Sequence, residues 1–430
     1  MSKIKRKLFR NWDELKQNLP DDLDASAKEC GALERKREIK SGEMLLRLIL
    51  IYSVILSLRN TAIWMLGLGF CDISRQAIEK RILKSSDWLT YLIGELLKQK
   101  IDVIKPLAGT VKRICIRDAS VLSRPGSSGT EWKLHLGWSP FGQDATQVTL
   151  TDDKVGEGLV GATIEEGDLY LGDRAYGIWV TIKPVLENLA FFVFRVAYTN
   201  LPLVRLDNTP FDILTWLKSI DKDAEWSEIT LCARDDEEKR PLRLVAGRIP
   251  NEKAEEARER VRKQAKKNKK EPNPHTLFVA GFCILITNLP EKFWPTTYIL
   301  SLYRIRWQIE WTFRRWKSLC GLDALPAYPA PIAKPVILAK LILILLMQRN
   351  LSTMPWDHWW TEQDEAPVIS SLVQLSICHL HEIIRPSWIA EIVHDEPERF
   401  RRHLFSSRRQ RSRWQLIQAA DLFQALLPLS

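Results

Sequence analysis

The sequence lacks most features that would place it outside a reducing interior. Its seven cysteines are scattered, odd in number and never in C-x2-C spacing. Neither a disulfide framework nor a zinc site is indicated, and a cytoplasmic location is the default. Long apolar runs are also missing. Leu48–Leu58 is too short to cross a bilayer and Val336–Met347 is interrupted by Lys340, so no membrane partner is expected. The stretch MSKIKRKLFR is basic but has no apolar core of an export signal. Acidic residues are in deficit, with 53 Asp plus Glu against 63 Lys plus Arg. The formal charge of +10 and a pI near 9.2 favour a polyanionic partner. At 430 residues the chain exceeds one typical core, and about three domains are expected.

What is present centres on Ser301–Leu319, SLYRIRWQIEWTFRRWKSL. Read as one helix at about 100° per residue, it places Tyr303, Arg306, Glu310 and Lys317 within an arc of about 60°. A lone carboxylate among cations suits a metal ligand that works beside phosphate. The same pattern also suits a solvated amphipathic helix, because i,i+3 and i,i+4 charge pairs stabilise helices by themselves.

The spacing Y-x2-R-x3-E-x6-K, embedded in YRIRWQIEWTFRRWKS, resembles the signature of insertion-sequence DDE transposases, in particular the insertion-sequence-four family. The resemblance implies an RNase H-like fold on which Glu310 is the third carboxylate of an Asp, Asp, Glu metal site. It therefore implies two upstream aspartates at strand ends. Asp118 in R-D-A-S and Asp173 in G-D-R-A-Y resemble the family's first and second catalytic motifs in wording and place. Oxygen-only ligands point to Mg2+ or Mn2+, two ions per active site. Tyr303, Arg306 and Lys317, with Arg174 beside Asp173, are then expected to contact DNA phosphates. Double-stranded DNA, as element ends and target, is the implied partner, bound by a homodimer. Some relatives use a tryptophan wedge in a returning strand, but the matching segment GFCILI offers only Phe282 or Cys283.

Along the chain, residues 1–105 are expected to form a helical DNA-binding domain. A helix over Glu43–Leu58 precedes a possible helix-turn-helix at 61–84, with Ser74 capping its last helix. Arg75, Gln76, Glu79 and Lys80 would then be exposed and able to reach bases or phosphates. An ordinary three-helix bundle with a solvated polar face accounts for the pattern equally well. Residues 106–198 and 291–325 are expected to form the catalytic core, in the order βββ, β, α, β. Asp152 and Asp153 have the setting of turn residues, and His135 that of a packed strand residue. Residues 199–290 are expected to be a β-rich insertion with a basic helix at 252–270. Within it Lys253–Lys270 carry nine cations against three glutamates, as either a solvated helix or a phosphate-tracking arm. Residues 326–430 are expected to be helical, and by resemblance to serve dimerisation.

The fold class expected is thus α/β: an RNase H-like mixed sheet with helices, interrupted by a largely β insertion and flanked by helical regions. The expected function is a DNA transposase that binds terminal inverted repeats, cuts element ends and transfers strands. Two alternatives stand beside it. A non-cleaving DNA-binding protein would have no need of all three carboxylates, and a structure-selective nuclease would have no need of terminal-repeat recognition.

Overall fold

The computed structural model describes residues 12–98, 111–140, 144–220, 226–352, 377 and 380–384. Most of the helical region expected at 326–430 lies outside these residues. The chain divides into two compact units, Met1–Gln99 with Ser123–Ser128 and Arg314–Ser430, and Lys100–Leu122 with Gly129–Phe313.

Among the described residues the N-terminal part of the first unit has six helices: α1 (Trp12–Lys16), α2 (Leu23–Glu29), α3 (Gly42–Ile55), α4 (Leu58–Gly67), α5 (Arg75–Leu83) and α6 (Ser86–Lys98). Three of them, α3, α4 and α5, are capped by a serine side chain. The hydroxyls of Ser41, Ser57 and Ser74 accept from the amides of Met44, Asn60 and Ala77, satisfying first-turn donors that a helix leaves unpaired. The helix expected to run to Leu58 instead ends at Ile55. Leu56 takes a left-handed conformation, φ 55°, and returns its amide to Tyr52 O, after which Ser57 restarts the chain as α4. At the start of α3 a Cβ on Gly42 would stand 2.2 Å from the Leu23 carbonyl oxygen, so the α2–α3 approach requires glycine.

The second unit is built on one mixed sheet. The strands β1 (Arg113–Leu122), β2 (Trp132–Ser139) and β3 (Asp144–Asp152) form an antiparallel meander. Then β4 (Asp168–Gly172) pairs parallel with β1, α7 (Trp179–Glu187) crosses over, and β5 (Phe191–Arg195) pairs parallel with β4. The residues beyond 199 supply β6 (Leu203–Val204), α8 (Ile213–Lys218), β7 (Trp226–Ala233), β8 (Leu242–Arg248), α9 (Asn251–Lys267), α10 (Pro274–Val279) and β9 (Phe282–Thr287). Their strands do not pair among themselves alone. β9 bonds antiparallel to both β5 and β8, so the order is β3-β2-β1-β4-β5-β9-β8-β7-β6. A core of buried side chains including Tyr176, Phe192, Phe194, Leu244, Ile284 and Ile286 follows the sheet across both halves. The chain then enters α11 (Thr296–Ile305) and α12 (Trp307–Ser318), and the boundary between the units falls inside α12.

An ion pair between a half-exposed arginine and a buried aspartate braces the start of the meander. Arg113, opposite Asp168 in the β1–β4 register, donates to both oxygens of that carboxylate, which also accepts from the Glu165 amide and the Tyr170 hydroxyl. Asp168 is 1% exposed, and these partners make its burial tolerable.

In the first unit a 3-10 turn at Ala330–Ile332 leads into α13 (Ala333–Ser352), longer than the apolar run Val336–Met347 suggests. Its length and composition would suffice to cross a membrane, but 83% of its most apolar window is buried inside the protein, where it packs on α3 and α6. Lys340 does not interrupt it. Its Nζ donates to the carbonyls of Gly321 and Ala324 at 2.5 and 2.6 Å, and burial pulls the amine down to about 8. Lys340→Ala leaves two carbonyls without their donor and is expected to destabilise the protein by about 1–3 kcal/mol. Chemical denaturation checks this; a midpoint equal to that of the parent protein would show the two bonds to be dispensable.

Candidate active site

Strand register brings two of the expected aspartates together. Ile116 pairs with Leu171 across the parallel β1–β4 ladder, and two residues further along each chain stand Asp118 and Asp173. Adjacent strands are roughly 4.8 Å apart, so the two carboxylates are neighbours. Asp118 lies within β1, which continues to Leu122, and Asp173 follows β4 directly. Each carboxylate commits one oxygen to its own backbone: Asp118 Oδ1 accepts from the Ala119 amide and Asp173 Oδ1 from the Ala175 amide, both at 2.8 Å. The turn after Asp173 is set by close packing. A Cβ on Gly172 would meet the Tyr176 ring at 2.6 Å, and one on Gly177 would meet the Arg195 carbonyl oxygen at 2.4 Å.

The third carboxylate arrives through Arg306. Its Nη2 donates to Glu310 Oε1 at 2.5 Å, and its Nη1 lies 3.6 Å from Asp118 Oδ2. The guanidinium carbon also lies 5.7 and 5.9 Å from the ring centres of Tyr303 and Trp307, a cation–π arrangement. The unbroken helix expected over this stretch is corrected here. The chain tightens at Arg306, where the Arg306 amide bonds Tyr303 O and the Ile309 amide bonds Arg306 O at 3.2 Å each, an i→i+3 pattern that separates α11 from α12.

Electrostatics follow from this crowding. Burial, then the Asp173 charge, push the Asp118 carboxyl up to about 7, opposed by the Ala119 amide and by Arg306. His135 is fully buried, holds Thr151 Oγ1 at 2.9 Å, and is pushed down to about 4 by burial, Arg117 and Lys133. It is a packed neutral residue. Asp152 accepts from the Lys154 amide at 3.1 Å, as a turn aspartate does.

Of the remaining expected residues, Tyr303 is half-buried and Arg174 is exposed, with Arg195 and Tyr303 in its electrostatic surroundings. Lys317 lies on α12 in the first unit, half-buried, its amine pushed down by burial. Arg75, Gln76 and Lys80 are exposed on α5, also in the first unit. Arg75 and Gln76 line a groove of about 440 Å3 with Arg59, Glu79 and Tyr328. Two residues near the aspartates carried no assignment from the sequence, Glu157 and Tyr176. Both act on the same charges: Glu157 is coupled to Asp173 and Asp118, and Tyr176 to all three. The only sequence signals were the G-E-G of KVGEGLVGA and the tyrosine of G-D-R-A-Y.

Asp118, Asp173 and Glu310 offer hard oxygen donors, which fit Mg2+ or Mn2+ and not a thiophilic metal. Among the described residues, no three His, Cys, Asp or Glu side chains already converge closely enough to hold one ion. Asp118 and Glu310 converge instead on the Arg306 guanidinium.

Because the Asp118 carboxyl is raised above its ordinary range, its ionisation opposes folding. The penalty is absent below about pH 4 and grows as pH rises toward 7. Asp118→Asn is therefore expected to raise the melting temperature at pH 8, through a stability gain of a few kcal/mol at most at about 1.4 kcal/mol per pKa unit. The gain should disappear near pH 4. Thermal melts at the two pH values check this, and an equal gain at both would remove the ionisation penalty from the account.

The transposase DDE domain family model matches residues 109–343, a span containing all three carboxylates. The chain is 31% identical over 349 residues to the transposase of insertion sequence element IS421 from Escherichia coli, covering 78% of this chain and 93% of that one. It is 23% identical over 378 residues to the IS231F transposase of Bacillus thuringiensis subsp. israelensis, covering 78% of each. A solved piggyBac transposase synaptic complex with hairpin DNA covers 97% of this chain and 85% of its own, at a TM-score of 0.41 and 10% identity, too distant to bear on fold or function. Family match and sequence identity agree: the chain belongs to the DDE transposases and is a metal-dependent DNA transposase of the insertion-sequence type.

Proposed function

We propose that this transposase binds the terminal inverted repeats of its own insertion sequence, cuts the element ends and joins them to target DNA, with Asp118, Asp173 and Glu310 as the ligands of two Mg2+ or Mn2+ ions. One observation carries this reading: carboxylates far apart in the chain gather where Arg306 bridges Asp118 and Glu310 and the β1–β4 register sets Asp173 beside Asp118. The strand order β3-β2-β1-β4-β5, with α7 as the crossover, supports an RNase H-like core, with residues 199–290 as an insertion that prolongs its sheet.

When bound, the ions supply an activated oxygen nucleophile and charge relief at the leaving oxygen of an in-line displacement at phosphorus. The protein's own groups do the rest. Asp118 Oδ2 must hold its ionised state against burial, and Arg306 favours that state. A phosphodiester offers Arg306 an alternative anion, so Nη2 can leave Glu310 Oε1 for a non-bridging phosphate oxygen and free Glu310 for its ligand role. Cation–π attraction to the Tyr303 and Trp307 rings helps hold the guanidinium in place during that exchange. Arg174, Lys317 and Tyr303 add phosphate contacts.

End recognition falls to the α4–α5 pair, with Arg75, Gln76 and Lys80 reaching the duplex. On α9, Arg258 and Arg262 are paired with Glu255, and Lys253 with Glu256. Lys263, Lys266 and Lys267 have no such partner among the described residues and are free to follow a DNA backbone. The reaction couples two ends, so the working species is a homodimer assembled on DNA, in the cytoplasm, with no membrane involvement. The net charge of +10 holds free protomers apart until phosphates neutralise it.

Asp118→Ala, Asp173→Ala and Glu310→Ala are each expected to reduce Mg2+-dependent end cleavage and strand transfer at least about a hundredfold, since even outer-shell changes at metal sites cost 10–100-fold. End binding should persist, and light scattering of the complexes should show two protein copies. Arg306→Ala should flatten the log–log salt dependence of end binding by about 0.9. A carboxylate variant that cuts normally loses its place in the site, and an unchanged salt slope removes Arg306 from the DNA contact. Cutting without strand transfer by the parent protein would instead identify a structure-selective nuclease.

A further inference from the structure

The polar side chains of α5 fall into two groups. Toward its C-terminal end they are committed inside the first unit: Arg81 donates to the Arg35 carbonyl at 2.8 Å, and Lys84, which follows the helix, pairs with Glu34 at 3.2 Å. In its first turns, Arg75, Gln76 and Glu79 have no side-chain hydrogen bond or ion pair among the described residues, and neither does Arg59 on α4. These four uncommitted groups line one groove of about 440 Å3.

The facing wall comes from a distant part of the chain. Tyr328 lines the same groove and is 85% exposed, more than any other large apolar side chain among the described residues. The segment that presents it is anchored from several sides within the first unit. Arg124, in the turn after β1, donates to the Ala327 carbonyl at 3.0 Å, and the Ile332 amide closes a turn on Pro329 O at 3.2 Å. Lys340 holds the Gly321 and Ala324 carbonyls, Leu325 is buried, and the 3-10 turn at Ala330–Ile332 packs on α5. A lone exposed ring is ordinary on a protein surface. One anchored across a groove from four uncommitted polar side chains has the makings of a recognition surface, with an apolar body and a polar tip.

The chemistry of the groove identifies its occupant. A surface made for phosphate alone would have no use for Glu79, because a carboxylate repels the DNA backbone. Base edges in a major groove take all of these groups: arginine donates to guanine, glutamine pairs with adenine, glutamate accepts from the cytosine amino group, and an aromatic ring gives apolar contact to a thymine methyl.

We propose that Tyr328 is a specificity-determining residue for the element end. Duplex DNA enters between Tyr328 and α5, where Arg75, Gln76 and Glu79 read base edges and the Tyr328 ring packs on a neighbouring thymine methyl. This rests on the assignment of α4–α5 to end recognition made above. It adds a base contact from the segment that follows α12, which neither of those helices supplies.

The test is binding of the full-length protein to two duplexes of equal length and composition, one carrying the terminal repeat of its element and the other the same bases shuffled. The parent, Tyr328→Ala, Tyr328→Phe, Arg75→Ala and Gln76→Ala are compared, with a thermal melt of each. Tyr328→Ala is expected to lower the ratio of repeat to shuffled affinity about tenfold, the scale of one base contact. Binding to the shuffled duplex, the salt slope and the melting temperature should stay at parent values, because an exposed and uncharged ring is removed. Tyr328→Phe should keep most of the parent ratio. A parent-like ratio for Tyr328→Ala, with a loss in Arg75→Ala or Gln76→Ala, overturns the role of Tyr328 and leaves end recognition with α4–α5. Parent-like ratios in all variants overturn that assignment too, and the proposal with it. Equal weakening on both duplexes by Tyr328→Ala overturns base reading by this residue. Loss of the two-copy complex with repeat affinity unchanged would make the groove a contact between copies and overturn the proposal.

Discussion

Carboxylates gathered at one edge of a sheet repel each other, and burial raises the cost of every charge they carry. The Arg306 guanidinium is the group that lets Asp118 and Glu310 approach, at 3.6 and 2.5 Å from its nitrogens. Much of the second unit can be understood as holding that arrangement. The Arg113–Asp168 pair locks the register of β1 against β4, and that register places Asp118 beside Asp173. Gly172 lets the Tyr176 ring close beneath the turn that carries Asp173. The tightened backbone at Arg306 separates α11 from α12, and Glu310 in the first turn of α12 meets the Arg306 guanidinium.

The arrangement is costly to the folded state, as reactive sites commonly are. An Asp118 carboxyl raised to about 7 means that near neutral pH the protein holds a carboxylate on the verge of taking up a proton. Polyvalent cations and phosphodiesters both relieve that tension, the first by satisfying carboxylates and the second by offering Arg306 another anion. On the proposed roles, Arg306 would couple metal and DNA binding, each ligand improving the site for the other.

Much of this was legible in the sequence, for identifiable reasons. The Y-R-E-K spacing and the two Asp motifs are short-range patterns whose chemistry is written in residue type, and the structure brings Asp118, Asp173, Arg306 and Glu310 into one neighbourhood. Ser74 announced its helix because capping depends on residues three apart. What escaped depends on partners distant in the chain. Nothing between Tyr303 and Ile309 is a glycine or proline, so the break at Arg306 has no local cue; there the side chain is drawn toward Asp118. The residues after 199 look like a separate β-rich segment, but β9 pairs with β5 as well as β8, which only long-range register decides. Glu157 carried no assignment from the sequence because the charges that act on it, Asp173 and Lys133, lie on other parts of the chain.

The account turns on Arg306 exchanging Glu310 for phosphate while the carboxylates turn to metal. Anomalous diffraction from crystals of the protein with an element-end duplex and Mn2+ measures this most directly. The account predicts manganese peaks coordinated by Asp118, Asp173 and Glu310, with the Arg306 guanidinium on a phosphate oxygen of the bound end. Manganese bound away from these carboxylates, or an Arg306–Glu310 pair intact beside bound metal and DNA, would contradict it.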